Sequence, residues 1–505
     1  MIAKVLSYAL TGLKGTPVSV EVDVNNGLPA FDVVGLGDTA VKESRERVRS
    51  AVKNSGRQIP PRKITVNLAP ADLKKEGSLL DLALSVGVLI SSGQLIADID
   101  GVVFLGELSL DGSLRRVNGV LPIIISALDE GFKKFIIPAE NKIEASFVGG
   151  VEVIAAENLC QVIDHLSGLN PIEPIIQNEF VAQKSKSNYD SDMAFVKGQA
   201  VAKRALEVAV SGGHNVLFVG APGTGKTMLA KCIPTIMPDM TFSEALETTK
   251  IHSVAGMLKD TDGIVFSRPF RSPHHTTTDI ALCGGGTRLR PGEISLAHNG
   301  VLFLDEMPEY KRSALEALRQ PLEDGEITVS RAAGNVNYPA NFMLCGSMNP
   351  CPCGNFGSPD KVCTCSPSMI AKYRSKISGP LLDRIDIQVE VDSVKYIELT
   401  DDSLAESSAT VRERVNRTRL IQKKRFEKDD ILTNSDMGER QIKKYCKLSK
   451  DCEDILKNAY DNLHLSPRAR SRIIKVARTI ADMELYEEIQ TQHILEAISY
   501  RHSQD

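Results

Sequence analysis

Apolar and polar residues alternate along the first part of the chain. The alternation covers residues 18–24, a turn follows at 25–27, and the pattern resumes at 30–34, which predicts a β-hairpin with one buried face. A dense apolar run at 79–89 predicts a buried helix. Further strands are predicted at 64–69, 102–110, 135–138 and 151–155. These elements indicate a mixed α/β domain over residues 1–166.

The periodic pattern stops between residues 167 and 191. Proline, glutamine, asparagine and serine are frequent there, so we interpret this stretch as a linker. The pattern then predicts a helix at 199–211, a strand at 215–219, a glycine-rich loop and a second helix that begins at Lys226. Strand, loop and helix in this order are typical of a parallel α/β nucleotide-binding domain, which we place at 192–392.

Helical periodicity replaces the strands beyond about residue 391. Helices are predicted at 409–425, 439–446, 451–462, 467–483 and 491–500. We therefore expect an all-helical C-terminal domain over residues 393–505, and an α/β multidomain fold for the whole chain.

Composition indicates a soluble globular protein. Of 505 residues, 42% are hydrophobic and 25% are charged, and the formal charge is −4, so binding to DNA or an anionic membrane would need a local basic surface. Apolar runs are too short for a membrane helix, and Lys4 and Gly12 interrupt the N-terminal stretch before it could act as a signal peptide. We expect a cytoplasmic protein with no membrane partner.

The glycine-rich loop matches the phosphate-loop pattern. Its glycines let backbone N–H groups close around phosphate oxygens, while Lys226 would reach the terminal phosphates and Thr227 would bind Mg²⁺. The predicted cofactors are therefore ATP and Mg²⁺. The nucleotide-binding residues are expected to be Gly220, Ala221, Pro222, Gly223, Thr224, Gly225, Lys226 and Thr227.

An apolar run at 301–304 ends in two carboxylates, Asp305 and Glu306. A buried central strand presents such acids at its C-terminal end, where they can face a metal-bound phosphate. Asp305 would hold Mg²⁺. Glu306 would orient and deprotonate the attacking water.

Four of the ten cysteines lie close together. Cys351, Cys353, Cys363 and Cys365 form two Cys-x-Cys pairs, which could surround one tetrahedral zinc ion. The usual spacing is Cys-x-x-Cys, so free or redox-active thiols are the alternative. Ten cysteines are too few for a disulfide scaffold in a chain of this size.

With these motifs the sequence resembles the AAA+ superfamily, and more closely its Mg-chelatase-like branch, the ComM or YifB family. The phrases RSPHHT from Arg271, GEISLAHNG from Gly292, SGPLLDRID from Ser378 and VARTIAD from Val476 are similar to signatures of that family, and the resemblance covers nearly the whole chain. It implies a ring of subunits, expected to be a hexamer.

The resemblance also implies three further site residues. Asn349 would be the polar sensor that positions water, Arg384 the arginine finger donated to a neighbouring subunit, and Arg468 a second sensor from the helical lid. Each has an alternative. Asn349 could cap a turn, Arg384 could form a structural ion pair with a neighbouring aspartate, and Arg470 or Arg472 could take the place of Arg468.

The first domain resembles the proteolytic domain of Lon protease, which uses a serine and lysine pair. Ser78, at the end of segment 75–78, is the residue that could correspond to the serine, but the residues that follow it begin with Leu79. Residues 117–122 contain no lysine at the place where the base of the pair belongs. We therefore expect an inactive protease-like domain, with Ser78 as a helix cap.

A long segment separates the two nucleotide motifs. It contains Gly284–Gly286 with Arg288 and Arg290, and related rings point such insertions into their pore, so these arginines are either contacts to a polymer backbone or part of a solvated loop. The leading hypothesis is a ring motor for DNA branch migration and helicase-like work. Protein remodelling and metal insertion into a porphyrin are the alternatives. The chelatase hypothesis is weakened by the first domain, which a chelatase motor is not expected to carry.

Overall fold

The computed structural model contains two large sheets and a helical C-terminal region. The residues it describes are 2–35, 37–73, 75, 77–178, 191–258, 263–286, 289–331, 334–357, 361–394, 405–429, 431–463 and 465–501.

The first domain is built on a seven-stranded sheet. Its elements, in chain order, are β1 (Ile2–Thr11), β2 (Lys14–Asn25), β3 (Ala30–Val34), α1 (Thr39–Asn54), β4 (Lys63–Ala69), α2 (Asp81–Ser91), β5 (Val102–Phe104), β6 (Glu107–Leu108), β7 (Leu114–Arg115), α3 (Val120–Asp129), β8 (Lys134–Pro138), α4 (Lys142–Ala145), β9 (Glu152–Ala156) and α5 (Leu159–Leu166). The sheet has the order β3, β4, β2, β1, β5, β8, β9, and β6 and β7 form a separate hairpin. The bounds of β3, β4, β8 and β9 were predicted within two residues.

The predicted hairpin between residues 18–24 and 30–34 is wrong. The strand β1, which the sequence pattern did not predict, pairs with β2 in antiparallel register with Val5 opposite Val20. On the other edge of β2, Leu68 of β4 lies opposite Val20. Because both edges of β2 are occupied, β3 pairs with β4 instead, in parallel.

Two predictions near α2 are also wrong. The strand predicted at 102–110 is interrupted, because Gly106 donates a backbone hydrogen bond to Leu79 O at 3.0 Å and leaves the sheet. Ser78 does not cap α2. The helix begins at Asp81 without a side-chain cap, and the Ser78 hydroxyl donates to Glu107.

The second sheet has five parallel strands. The elements of this core are α6 (Ala200–Gly212), β10 (Val216–Val219), α7 (Lys226–Ile236), α8 (Phe242–Ala255), β11 (Phe270–Arg271), α9 (Asp279–Cys283), β12 (Gly284–Gly285), β13 (Arg290–Pro291), α10 (Glu293–Leu296), β14 (Val301–Leu304), α11 (Arg312–Ala317), α12 (Pro321–Asp324), β15 (Glu326–Arg331), β16 (Gly334–Pro339), β17 (Met343–Met348), α13 (Pro367–Arg374), α14 (Gly379–Leu382) and β18 (Ile387–Glu390). The sheet order is β11, β14, β17, β10, β18, with β12–β13 and β15–β16 as separate hairpins.

The C-terminal region is helical, as predicted, and packs directly on the core. Its helices are α15 (Ser408–Arg425), α16 (Glu439–Tyr445), α17 (Lys450–Asn462), α18 (Pro467–Met483) and α19 (Thr491–Ser499). Phe218 and Phe303 from the sheet share one hydrophobic cluster with Ile473 and Ile480 of α18. Core and lid are therefore one packing unit.

The first domain contacts the core through α3, α4 and α8. Backbone N–H of Gly119 donates to Ser253 Oγ at 3.0 Å, and the Ser253 hydroxyl donates to the buried carboxylate of Glu144. The predicted linker begins on the first domain, where Ile175 N–H donates to Val153 O at 2.8 Å. Its residues 179–190 lie outside the described residues.

A buried carboxylate joins the sheet to the lid. Asp386 forms an ion pair with Arg472 of α18, accepts a hydrogen bond from Asn215 N at 3.1 Å and lies 3.6 Å from His214 Nδ1. Burial alone would raise the pKa of Asp386, but Arg472 and His214 hold that pKa well below its ordinary value. The carboxylate is therefore charged where the lid meets the sheet.

We expect Asp386→Asn to lower the free energy of unfolding by about 3 kcal/mol at neutral pH, because the change leaves Arg472 without its carboxylate. A depressed pKa stabilises the folded state above the unfolded value of about 4, so the difference from the wild type should shrink below about pH 4. Urea unfolding at neutral and acidic pH tests this.

The control is Arg45→Ala, which removes the exposed ion pair to Glu46 and should change stability by less than about 1 kcal/mol. Equal stability of the two variants would contradict the role of Asp386.

Candidate nucleotide-binding site

The phosphate loop leaves an interior strand of the five-stranded sheet. It follows β10, which lies between β17 and β18, and leads into α7 at Lys226. A Cβ atom at Gly220 would lie 2.4 Å from Val391 O, and Gly225 has φ of +93°. Only glycine fits both constraints, so the loop can keep its backbone amides close to a bound phosphate at the N-terminus of α7.

The ammonium group of Lys226 holds this loop together. Its Nζ donates to Gly220 O at 2.7 Å, to Ala221 O at 2.8 Å and to Asn349 Oδ1 at 3.3 Å. The side chain is only 8% exposed, and burial lowers the pKa of Lys226 while Asp305 and Glu306 oppose that shift. The structure therefore brings Asn349, at the end of β17, to the phosphate loop.

The acidic strand ends beside Thr227. Thr227 Oγ1 donates to Asp305 Oδ2 at 3.0 Å, so a hydroxyl and a carboxylate oxygen are adjacent at the start of α7. Oxygen ligands of this kind suit Mg²⁺, which is commonly bound by one or two carboxylates plus substrate phosphates. Thr227 and Asp305 could therefore hold Mg²⁺ against a phosphate. Glu306 is exposed next to them.

Ser347 is a site residue that the sequence analysis missed. Glu306 has φ of +51°, and its N–H donates to Ser347 Oγ and to Asp305 Oδ1, each at 3.1 Å. The Ser347 hydroxyl in turn donates to Asp305 Oδ1 at 2.5 Å. The sequence feature that could have indicated Ser347 is its hydroxyl, which interrupts the otherwise apolar strand β17. Its contacts orient both carboxylate-bearing residues.

Gln199 was also missed. This residue precedes α6 with φ of +57°, and its side-chain amide donates to Thr224 O at 3.2 Å and to Asp392 O at 2.5 Å. It therefore joins the phosphate loop to the segment after β18.

Two predicted arginines lie elsewhere. Arg384 is 4% exposed, donates to Pro380 O at 2.6 Å and forms an ion pair with Glu323. The guanidinium of Arg468, whose side chain is 64% exposed, lies 3.7 Å from the same carboxylate. The partner of Arg384 is thus Glu323 rather than a neighbouring aspartate, and Arg472 is engaged by Asp386.

The four cysteines converge. Cys351 Sγ lies 3.4 Å from Cys353 Sγ and 3.7 Å from Cys363 Sγ. Together with Cys365 Sγ, these atoms make four sulfur atoms that all lie within 4.8 Å of one another. None is in a disulfide. Four thiolates around zinc, with bonds of about 2.3 Å, have sulfur atoms about 3.8 Å apart, so the donor set fits tetrahedral zinc.

A cavity of about 700 Å³ lies beside the phosphate loop. Its walls come from the segment 195–199, the loop itself from Gly220 to Gly225, the cysteine-containing residues 353–357 and the segment 390–394. A volume of this size is in the range of small-molecule sites.

Sequence comparisons agree with this architecture. Residues 192–399 match the family model described as magnesium chelatase, subunit ChlI, and residues 405–501 match its C-terminal model. The chain is 43% identical to competence protein ComM of Haemophilus influenzae over 506 residues, covering 99% of this chain and 97% of that protein. It is 42% identical to YifB of Escherichia coli over 495 residues, covering 98% and 96%.

The chain belongs to the Mg-chelatase-like ComM/YifB family. This membership confirms the AAA+ multidomain fold, and with it a P-loop ATPase of that class. This ComM/YifB member is also 30% identical to Lon protease 2 of Bacillus subtilis over 149 residues that cover 29% of this chain and 26% of that protein. Among the described residues, no helix has the length and apolar character needed to cross a bilayer.

The first domain matches a family model of its own. Residues 20–141 of this ComM/YifB member match a model described as subunit ChlI of Mg-chelatase. The first domain is therefore no evidence against a chelatase-type activity.

We expect Ser347→Ala to lower the rate of Mg²⁺-dependent ATP turnover about tenfold or more, because a lost hydrogen bond to a charged group is worth about 1.5 to 3 kcal/mol. The KM for ATP should change little, since Ser347 contacts the carboxylate end of the site only. Steady-state kinetics separate the two parameters.

The matched control is Ser295→Ala, since the buried Ser295 hydroxyl has no hydrogen-bond partner among the described residues. A wild-type kcat for Ser347→Ala, or an equal loss in the control, would show that Ser347 does not position these groups.

Proposed function

We propose that this protein is a ring-forming motor that couples hydrolysis of ATP to the remodelling of DNA. The observation that carries the proposal is the convergence of Lys226, Thr227, Asp305 and Asn349 at one edge of the sheet. Lys226 would bind the terminal phosphates, while Thr227 and Asp305 would hold Mg²⁺. The metal would neutralise charge on the phosphates.

Hydrolysis then needs a positioned water. Glu306 would orient and deprotonate that water, with Asn349, which accepts a hydrogen bond from Lys226, as the polar sensor. The nucleoside would occupy the cavity beside the loop, because segment 195–199 and Gly220–Gly225 both line it. Four cysteine thiols at 351–365 would hold a structural zinc ion.

A ring is supported by the two arginines. Arg384 and Arg468 contact one carboxylate, Glu323, and neither lines the cavity beside the phosphate loop of the chain that carries them. We propose that Arg384 is an arginine finger for the nucleotide of a neighbouring subunit and that Arg468 is the second sensor. Six subunits and a cytoplasmic location belong to the same proposal.

DNA as the partner is supported by two adjoining hairpins. Tyr338 Oη on β16 donates to Leu289 O beside β13 at 2.6 Å, so the hairpins β12–β13 and β15–β16 lie together. Arg290 on β13 is exposed, and Arg288 lies outside the described residues. An exposed arginine beside glycines can approach a phosphate backbone closely. The relative ComM is named a competence protein.

The similarity to Lon protease 2 favours protein remodelling as a second candidate. The Lon-like domain would then recognise unfolded protein. Metal insertion into a porphyrin needs separate porphyrin-binding partners, and it is the third outcome of the test below.

We expect forked or four-way DNA to raise the rate of ATP hydrolysis at least about tenfold, as expected when substrate binding completes the catalytic arrangement. The measurement is the ATPase rate of the full chain with single-stranded, forked and four-way DNA and with an unfolded protein. Lys226→Ala and Glu306→Gln should have no rate under any condition.

Stimulation by unfolded protein alone would favour the second candidate. An equal rate with every polymer would argue against both remodelling functions while leaving the ATPase intact. Wild-type rates in either variant would refute the site.

We expect Arg384→Ala and Glu306→Gln to be inactive separately and to regain about a quarter of the wild-type rate when mixed in equal amounts. In a randomly mixed ring, about a quarter of the interfaces combine an intact Glu306 with an intact Arg384 from the neighbour. The ATPase rate of the mixture measures this.

The control mixture contains Arg384→Ala and the double variant Arg384→Ala/Glu306→Gln, which supplies no arginine and should stay inactive. If Arg384→Ala alone hydrolyses ATP normally, Arg384 is not a finger.

A further inference from the structure

We infer that the cysteine loop, residues 351–357 and 361–365, is a wall of the nucleotide site, and that a metal ion bound by its four thiols sets the affinity of this site for nucleoside triphosphate. The inference rests on the proposed function, because binding of nucleotide at the phosphate loop belongs to that proposal. Three observations place the loop against the site.

The first observation is a close backbone contact. Gly354 has φ of +78°, and a Cβ atom added there would lie 2.5 Å from Cδ and 2.8 Å from Cγ of Pro222. Real Cβ atoms do not approach other atoms this closely. The backbone of the cysteine loop therefore lies directly on the ring of Pro222 in the phosphate loop, with no room for a methyl group.

The second observation is that the cysteine loop follows closely in the chain after Asn349, the hydrogen-bond partner of Lys226. Asn349 accepts a hydrogen bond from Lys226 Nζ at 3.3 Å, and Cys351 follows only two residues later. Cys351 is fully buried, and its Sγ lies within 3.7 Å of the sulfur atoms of Cys353 and Cys363. A metal ion on these sulfur atoms would fix the chain immediately after Asn349.

The third observation is the shared cavity. Cys353, Phe356 and Lys361 line the same cavity as Gly220–Gly225. The guanidinium of Arg374, which also lines it, lies 5.6 Å from the centre of the Phe356 ring. The cysteine loop thus adds a cation, Lys361, and an aromatic ring, Phe356, to a cavity beside the phosphate-binding backbone. This combination suits an anionic ligand with a flat base.

The loop has little else to hold it in this position. Val362 is 87% exposed and Phe356 is 43% exposed, and the buried residues among its described part are Cys351 and Gly354. A segment without an apolar core depends on its cross-links, and metal binding to thiolates supplies folding free energy directly. Loss of the metal should therefore release Gly354 from Pro222 and open one side of the nucleotide site.

Binding of a fluorescent ATP analogue to the full chain tests the inference without any turnover. Excess Mg²⁺ is kept throughout, and Zn²⁺ is the metal added or removed with a zinc-selective chelator. We expect removal of zinc to raise the Kd about tenfold and re-addition to restore it, as for the loss of a preorganised wall. An unchanged Kd would overturn the inference. A chain that binds no zinc would overturn it together with the proposed structural zinc ion, and in both cases the proposed ATP-driven motor would stand.

Two glycine variants isolate the contact from the metal. Gly354→Ala and Gly150→Ala both place alanine at a left-handed φ of +78°, but only Gly354 meets Pro222, and a Cβ at Gly150, in the first domain, has nothing within 4 Å. We expect both variants to retain one zinc ion per chain, while only Gly354→Ala raises the Kd about tenfold.

Equal Kd values for the two variants would overturn the inference. If Gly354→Ala also loses zinc, we expect its Kd to match that of the zinc-free wild type. A Kd like that of the zinc-loaded wild type would then overturn the inference. A wild type that binds no nucleotide overturns the proposed function together with the inference, which distinguishes the two failures.

Discussion

The ammonium group of Lys226 is the contact on which the site depends. It bonds to two carbonyl oxygens of its own loop and to Asn349 at the end of a neighbouring strand. Because β10, β14 and β17 are parallel, their carboxyl ends meet at one edge of the sheet. The lysine can join these ends only in this topology, so the sheet order determines the chemistry that the loop can perform.

The parts of the candidate site that the sequence marks are local in the chain. The phosphate loop and the strand that ends in Asp305 each carry their pattern within a few residues. Ser347 and Glu323 act through partners more than forty residues away, and no short pattern marks them. The error in the first sheet has the same origin, because alternation shows that residues 18–24 form a strand but not which strand pairs with it.

The lid and the first domain contact the same core from different sides. The lid shares the hydrophobic cluster of α6 and α7 with the sheet, and Asp386 binds Arg472 where they meet. The first domain contacts α8, whose Thr248 hydroxyl lies 3.3 Å from the side-chain amide of Asn299, just before β14. Each unit therefore packs against elements that lead to the phosphate loop or to Asp305. Contiguous packing of this kind can carry coupling between domains.

Two residues at the site, one predicted from the sequence and one not, lie in the left-handed region of backbone conformation. Glu306 and Gln199 have φ near +50°, where residues other than glycine cost about 1 kcal/mol or more. At Glu306 the cost is offset by hydrogen bonds from its N–H to Ser347 and Asp305. At Gln199 it is offset by hydrogen bonds from the side-chain amide to the carbonyl oxygens of Thr224 and Asp392. Local propensity disfavours both conformations, so the surrounding contacts must impose them. Apart from the contact between Glu306 and Asp305, these contacts are long-range, and the residues that break the local rule lie where the nucleotide would bind.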